Sequence, residues 1–175
     1  MNSILKFLLI ILFFNHSISF SADGEIKFIG SIIPTACSVD TNSINKVVNM
    51  GKISVASFNH KNSVAAATPF RITLSNCPTD YKKIQFKFDG KSDNANPTLL
   101  GLSPNTTSTP ATGIAIALYE ESSVRRIPLN GGSQFKEVTS SKTVEMNFVA
   151  KYIATSEQVT PGSADALAHF SIIYQ

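Results

Sequence analysis

Three observations predict an all-β domain. After the first hydrophobic run the chain breaks into short apolar/polar alternations separated by Gly, Pro, Asn and Ser, with no long stretch of helical period. The segment ADGEIKFIGSIIPTAC has a strand pattern but no obvious partner of its own. The tail ALAHFSIIYQ ends on another strand, with no residues after Gln175 to form its neighbour. About seven short strands with turn signals at intervals fit a β-sandwich of immunoglobulin type, a closed barrel being the alternative. One spare strand and one strand short of a neighbour suggest a chain that polymerises.

Residues 1–21 carry Lys6, then FLLIILFF, then a stretch ending in SISFS, the three-part layout of a secretory signal peptide. Cleavage after Ser21 puts the small Ser19 and Ser21 at the two positions that need them and starts the mature chain near Ala22. A membrane anchor is the weaker reading, because Phe7 to Phe14 is far short of the roughly 20 apolar residues a spanning helix requires. The rest is enough for one domain with a real core. The formal net charge of +3 comes from scattered lysines, so nothing argues for nucleic acid. Lys82 with Lys83, and Arg125 with Arg126, read as solvated faces.

Both cysteines lie in the exported part, where thiols are oxidised, and a Cys37–Cys77 disulfide is expected. In the chain-entropy model, closing a loop of that size stabilises the fold by roughly 4 kcal/mol. Reactive or metal-binding thiols are disfavoured by the long separation and the absence of a CxxC spacing.

The elements follow in order. Ile26, Phe28, Gly30 and Ile32 share one face of a half-buried strand, with Glu25, Lys27 and Ser31 opposite and Ile29 the exception on that polar face. Val48 and Met50 share a face of a short strand interrupted near Gly51. Phe70, Ile72 and Leu74 alternate with Arg71, Thr73 and Ser75. Ile84, Phe86 and Phe88 face in while Lys83, Gln85 and Lys87 face out, and Asp89 with Gly90 is expected to turn the chain. Residues 91–112 read as a long loop around an apolar island of Leu99, Leu100 and Leu102, with room for one short strand. GIAIALYE has Ile114, Ile116 and Leu118 on one side and Ala115, Ala117 and Tyr119 on the other, a strand buried on both faces in the middle of a sandwich. After a loop through Asn130, Gly131 and Gly132, Val144, Met146, Phe148, Ala150 and Tyr152 share one face. PGSAD turns into the last strand, where Ala168, Phe170, Ile172 and Tyr174 alternate.

Six pieces in one order resemble pilin subunits of bacterial chaperone-usher fimbriae, the type 1 and P pilus group. They are the DGxIxFxGxI extension, TACSV around Cys37, ATPFRITLSNC with Cys77, TGIAIAL, NFVAKY, and GSADALAHFSIIYQ with its penultimate Tyr174. The resemblance implies an incomplete immunoglobulin-like β-sandwich lacking its final strand, with an N-terminal donor-strand extension. Residues 1–21 are then a signal peptide, 22–36 the extension and 37–175 the pilin domain. An open groove exposes apolar side chains and unpaired backbone, which makes an isolated subunit prone to aggregate. In the family a periplasmic chaperone lends a strand, and the extension of the next pilin subunit replaces it at the outer-membrane usher. The resemblance gives Ile26, Phe28, Gly30 and Ile32 to the donor strand, Gly30 standing where the groove narrows; a glycine tolerated in a flexible tail is the plain alternative. It gives Phe170, Ile172 and Tyr174 to the strand that pairs with the chaperone's, and the terminal carboxylate of Gln175 to basic residues of the chaperone cleft; an ordinary core strand is the alternative, and both can hold.

No catalytic chemistry is legible. His60 and His169 stand apart, there is no tryptophan, and GxSxG, HExxH and glycine-rich phosphate loops are absent, so no enzyme, metal or cofactor is expected. Asp89, Asp93, Glu120 and Glu121 read as solvated turn or strand-end residues, and the NTT triplet at Asn105 as a poor glycosylation site in a bacterial secretory context. A structural subunit of an adhesive, cell-surface fimbrium, secreted through the periplasm, is the leading function. A single-domain adhesin that itself binds a host glycan or protein receptor is the alternative.

Overall fold

The computed structural model describes residues 24–33, 36–103, 108–122 and 124–175. The expected signal peptide and the NTT triplet lie outside them. The described residues fall into two units, 24–33 and 36–175.

In the larger unit, eight strands form two antiparallel sheets. They are β1 (Ser38–Val39), β2 (Val64–Ser75), β3 (Lys83–Gly90), β4 (Ile114–Glu120), β5 (Arg126–Ile127), β6 (Lys136–Glu137), β7 (Val144–Ala154) and β8 (Ala168–Tyr174). One sheet has the order β1-β2-β7-β4-β5 and the other β6-β3-β8. Two separate sheets make this a sandwich and not a closed barrel. A single helical turn, α1 (Thr41–Ile44), follows β1, its first turn capped by the Asp40 carboxylate accepting from Asn42 N–H at 2.9 Å.

The registers put every alternation on one core. Phe70 lies opposite Phe148, Ile72 opposite Met146 and Leu74 opposite Val144. Phe86 lies opposite Ile172 and Phe88 opposite Phe170. Side chains of a strand alternate sides, so the same parity in each strand delivers its apolar row to the space between the sheets. Five phenylalanines meet there, with ring centroids 5.1 Å apart for Phe88–Phe148, 5.4 Å for Phe70–Phe148 and 5.6 Å for Phe86–Phe170. Edge-on and tilted pairs of this kind add to what burial alone supplies. The disulfide joins Cys37 to Cys77, tying the entry to β1 to the exit from β2.

β4 is buried on both faces, as its sequence suggests, because Leu99 folds over its outer side and packs with Ala115, Ala117 and Ile153. The loop that carries Leu99 is pinned by Leu100, which exchanges backbone hydrogen bonds with Ile116 at 2.9 and 2.8 Å. Gly113 enters β4 at φ +72°, where a Cβ would lie 2.3 Å from the Gln158 carbonyl oxygen, so only glycine fits.

Residues 26–32, whose strand pattern has no partner of its own, form no strand within the subunit. Three expectations are corrected. Residues 46–54 form no strand, although Val48 and Met50 do pack against the core. Asp89 and Gly90 do not turn: they continue β3, opposite His169 and Ala168, and the β8 ladder overrides the local turn signal. Glu120 is not a solvated strand end. It is buried, accepting from Gln134 N–H at 2.7 Å and pairing at 3.0 Å with Arg125, which is itself exposed.

Candidate functional site

β8 is hydrogen-bonded to β3 on one side and is the terminal strand of its sheet. Beside it runs a groove of about 830 Å³. Ala168, His169 and Phe170 all border it, although successive side chains point to opposite faces. Only a groove that touches the edge of the strand meets both kinds, so the unpaired backbone edge of β8 forms one rim. Residues 164–167, which lead into β8, continue that rim.

The opposite rim is the stretch 46–51. It alternates in burial, Val48 and Met50 turned inward and Asn49 outward. Among the described residues, its backbone from Lys46 to Met50 makes no backbone–backbone hydrogen bond, and Gly51 N–H is taken by the Asn49 side chain at 3.0 Å. This segment has the burial alternation of a strand and, among the described residues, no ladder. The floor between the rims is apolar, built by Phe70 and Ile72 of β2, Phe88 of β3, Ile116 and Leu118 of β4, and Ala150 of β7. Polar groups sit at the margins: Lys46 on one rim, Asp165 and His169 on the other.

An apolar floor between two unpaired backbone edges is chemically suited to one kind of ligand, an extended peptide with alternating apolar side chains. Backbone groups along both edges would bond it and the floor would take every second side chain. Tyr152 sits at the end of the floor and donates from Oη to the Ala164 carbonyl at 3.1 Å. Burial, and next the charge of Asp165, hold its phenol above the usual tyrosine range.

Of the residues expected on the groove strand, Phe170 borders the groove. Ile172 and Tyr174 lie farther along β8 with their side chains turned into the core. At the chain end, Gln175 N–H donates to the Lys83 carbonyl at 2.9 Å, and the Gln175 carbonyl oxygen accepts from the N–H groups of Lys82 and Lys83 at 3.0 and 3.1 Å. In the smaller unit, Ile26, Phe28 and Ile32 are 80, 90 and 101 % exposed, and a Cβ placed on Gly30 would meet nothing within 4 Å. Sequence reasoning missed the floor residues of β4 and β7 and the rim at 46–51. A floor assembled from four strands has no contiguous signature in the sequence.

A family model described as "Fimbrial protein" matches residues 26–175. The fimbrial subunit type 1 of Salmonella typhimurium is 34 % identical over 153 residues, covering 87 % of this chain and 83 % of that one. Among solved structures, the antigen and type I fimbria protein of Burkholderia pseudomallei superposes with a TM-score of 0.59 at 31 % identity, covering 80 % of this chain and 90 % of that one. A chain from the structure of a chaperone-usher pilus reaches a TM-score of 0.63 at 19 % identity, covering 90 and 98 %, a likeness of fold.

Proposed function

The chain belongs to the fimbrial protein family and is a structural subunit of a cell-surface fimbria, and from that premise we propose that it polymerises by donor-strand exchange. Residues 22–36 of one copy, with Ile26, Phe28, Gly30 and Ile32 turned inward, lie in the groove of the next. A periplasmic chaperone occupies the groove first, pairing along β8 through Phe170, Ile172 and Tyr174 and holding the carboxylate of Gln175. The outer-membrane usher is where the exchange takes place. The family is one of structural subunits rather than enzymes, and it favours this role over that of an adhesin.

One observation carries the reading: a strand-patterned segment whose apolar side chains are almost wholly exposed occurs in the same chain as a groove with two unpaired edges. Each has what the other needs. Burying one of the large apolar side chains contributes roughly 1.5–3 kcal/mol, and each backbone hydrogen bond about 0.5–1.5.

Gly30 supplies the test. Its surroundings in the subunit are open, so a side chain there leaves the subunit's own packing untouched. Any effect of Gly30→Leu must therefore arise against a partner. The expected result in cells expressing only the variant is folded, disulfide-bonded subunit without surface fibres. Fibres in normal number and length refute the assignment of the donor row.

A further inference from the structure

Tyr174 does more than fill the core. Its Oη accepts a hydrogen bond from the backbone N–H of Cys37 at 3.0 Å, across 137 positions of sequence. Cys37 stands immediately before β1, and it is also bonded through sulfur to Cys77, just past the end of β2. Two tethers therefore converge on one residue. The disulfide runs to the five-stranded sheet and the phenol to β8 of the three-stranded sheet.

The Tyr174 end of β8 is itself held firmly. The ring packs against Tyr81 with centroids 5.1 Å apart, and Lys82 and Lys83 make three backbone hydrogen bonds with Gln175. Core packing at this position asks only for an aromatic ring, opposite Ile84 in the register. The hydroxyl's recorded partner is the Cys37 amide.

We infer that Tyr174 is a positioning residue for assembly: its hydroxyl fixes the backbone direction at Cys37 and passes tension from the N-terminal segment directly onto β8. This rests on the reading of residues 22–36 as the donor strand. In a filament built that way, load enters a subunit at the groove edge of β8 and leaves it at Cys37. The Tyr174–Cys37 hydrogen bond joins those two points without passing through the β3 ladder or the core. Without it, the disulfide remains as a covalent pivot about which the exit direction can vary.

The test is Tyr174→Phe in the full chain, assembled in cells beside wild type and Gly30→Leu. Fibres of Tyr174→Phe are expected to show a shorter persistence length than wild-type fibres in electron micrographs. Exchange of the Cys37 amide in those fibres should be roughly two- to tenfold faster, the span that one hydrogen bond supplies. Unchanged persistence length overturns the inference. So does absence of fibres, since the hydroxyl would then act in folding or delivery. Normal polymerisation of Gly30→Leu would mark a different failure, that of the donor-strand reading beneath it.

Discussion

Replacing Phe28 by alanine separates an inward-facing donor row from a merely sticky tail. Phe28 is 90 % exposed in the subunit, so nearly its whole apolar surface is available for burial when the segment enters a groove. The transfer scale gives roughly 1.5–3 kcal/mol for such a side chain, equivalent to a roughly ten- to hundredfold weaker complex. Lys27 is its neighbour in sequence and stands on the opposite side of an extended strand, so Lys27→Ala should cost no more than about 0.5 kcal/mol. The assay is equilibrium denaturation of the domain refolded around synthetic peptides of residues 22–36 carrying each change. The two midpoints should differ by the full side-chain value. Equal losses for Phe28→Ala and Lys27→Ala would show that the segment does not bind with alternating faces, and the reasoning would fall.

Two further outcomes follow from the domain itself. Replacing both Cys37 and Cys77 by serine removes the link that closes a 40-residue separation and should lower the unfolding free energy by about 4 kcal/mol in guanidinium titrations; a loss under about 1 kcal/mol contradicts the role given to the bridge. Tyr152 predicts an alkaline transition. Its folded pKa is raised, so the folded state holds the phenolic proton more tightly than the unfolded chain does. That contribution is complete below the ordinary tyrosine pKa of about 10 and is lost as pH rises through the folded value. Denaturation at pH 8 and 11 should show a steeper fall for wild type than for Tyr152→Phe, and parallel falls refute it.

Where the sequence was legible, the reason was local alternation. Ile84, Phe86 and Phe88, and Val144 through Tyr152, had to present one parity to one core, and the ladders place them so. Where it was not, the deciding partner lay far away in the chain. Asp89-Gly90 is a good turn dipeptide, but pairing with His169 and Ala168 decides its conformation. Glu120 sits at a strand end that ordinarily faces water, and the Gln134 amide draws it inward. Val48 and Met50 show the limit from the other side: their sequence alternation matches their inward packing. A strand is defined by hydrogen bonds to a neighbour, and along that edge the described chain supplies none. The groove was implied only through the family resemblance, because its floor draws residues from β2, β3, β4 and β7.

On the proposed reading the same surface accounts for both the weakness of one subunit and the growth of many. Phe70, Ile72, Ile116 and Leu118 are part of the core cluster and of the groove floor at once. Leaving the groove open therefore exposes the edge of the core itself, and closing it completes the packing of the whole domain. On the proposed reading the closing segment comes from a different part of the chain than the groove it fills. Such a contact is heterologous: each subunit uses one surface to give and another to receive, and after each addition a fresh donor or groove remains at the end. A self-complementary contact would stop at two. On that reading, folding free energy withheld from the monomer is released at every joint, and the filament has no intrinsic length at which that gain ceases.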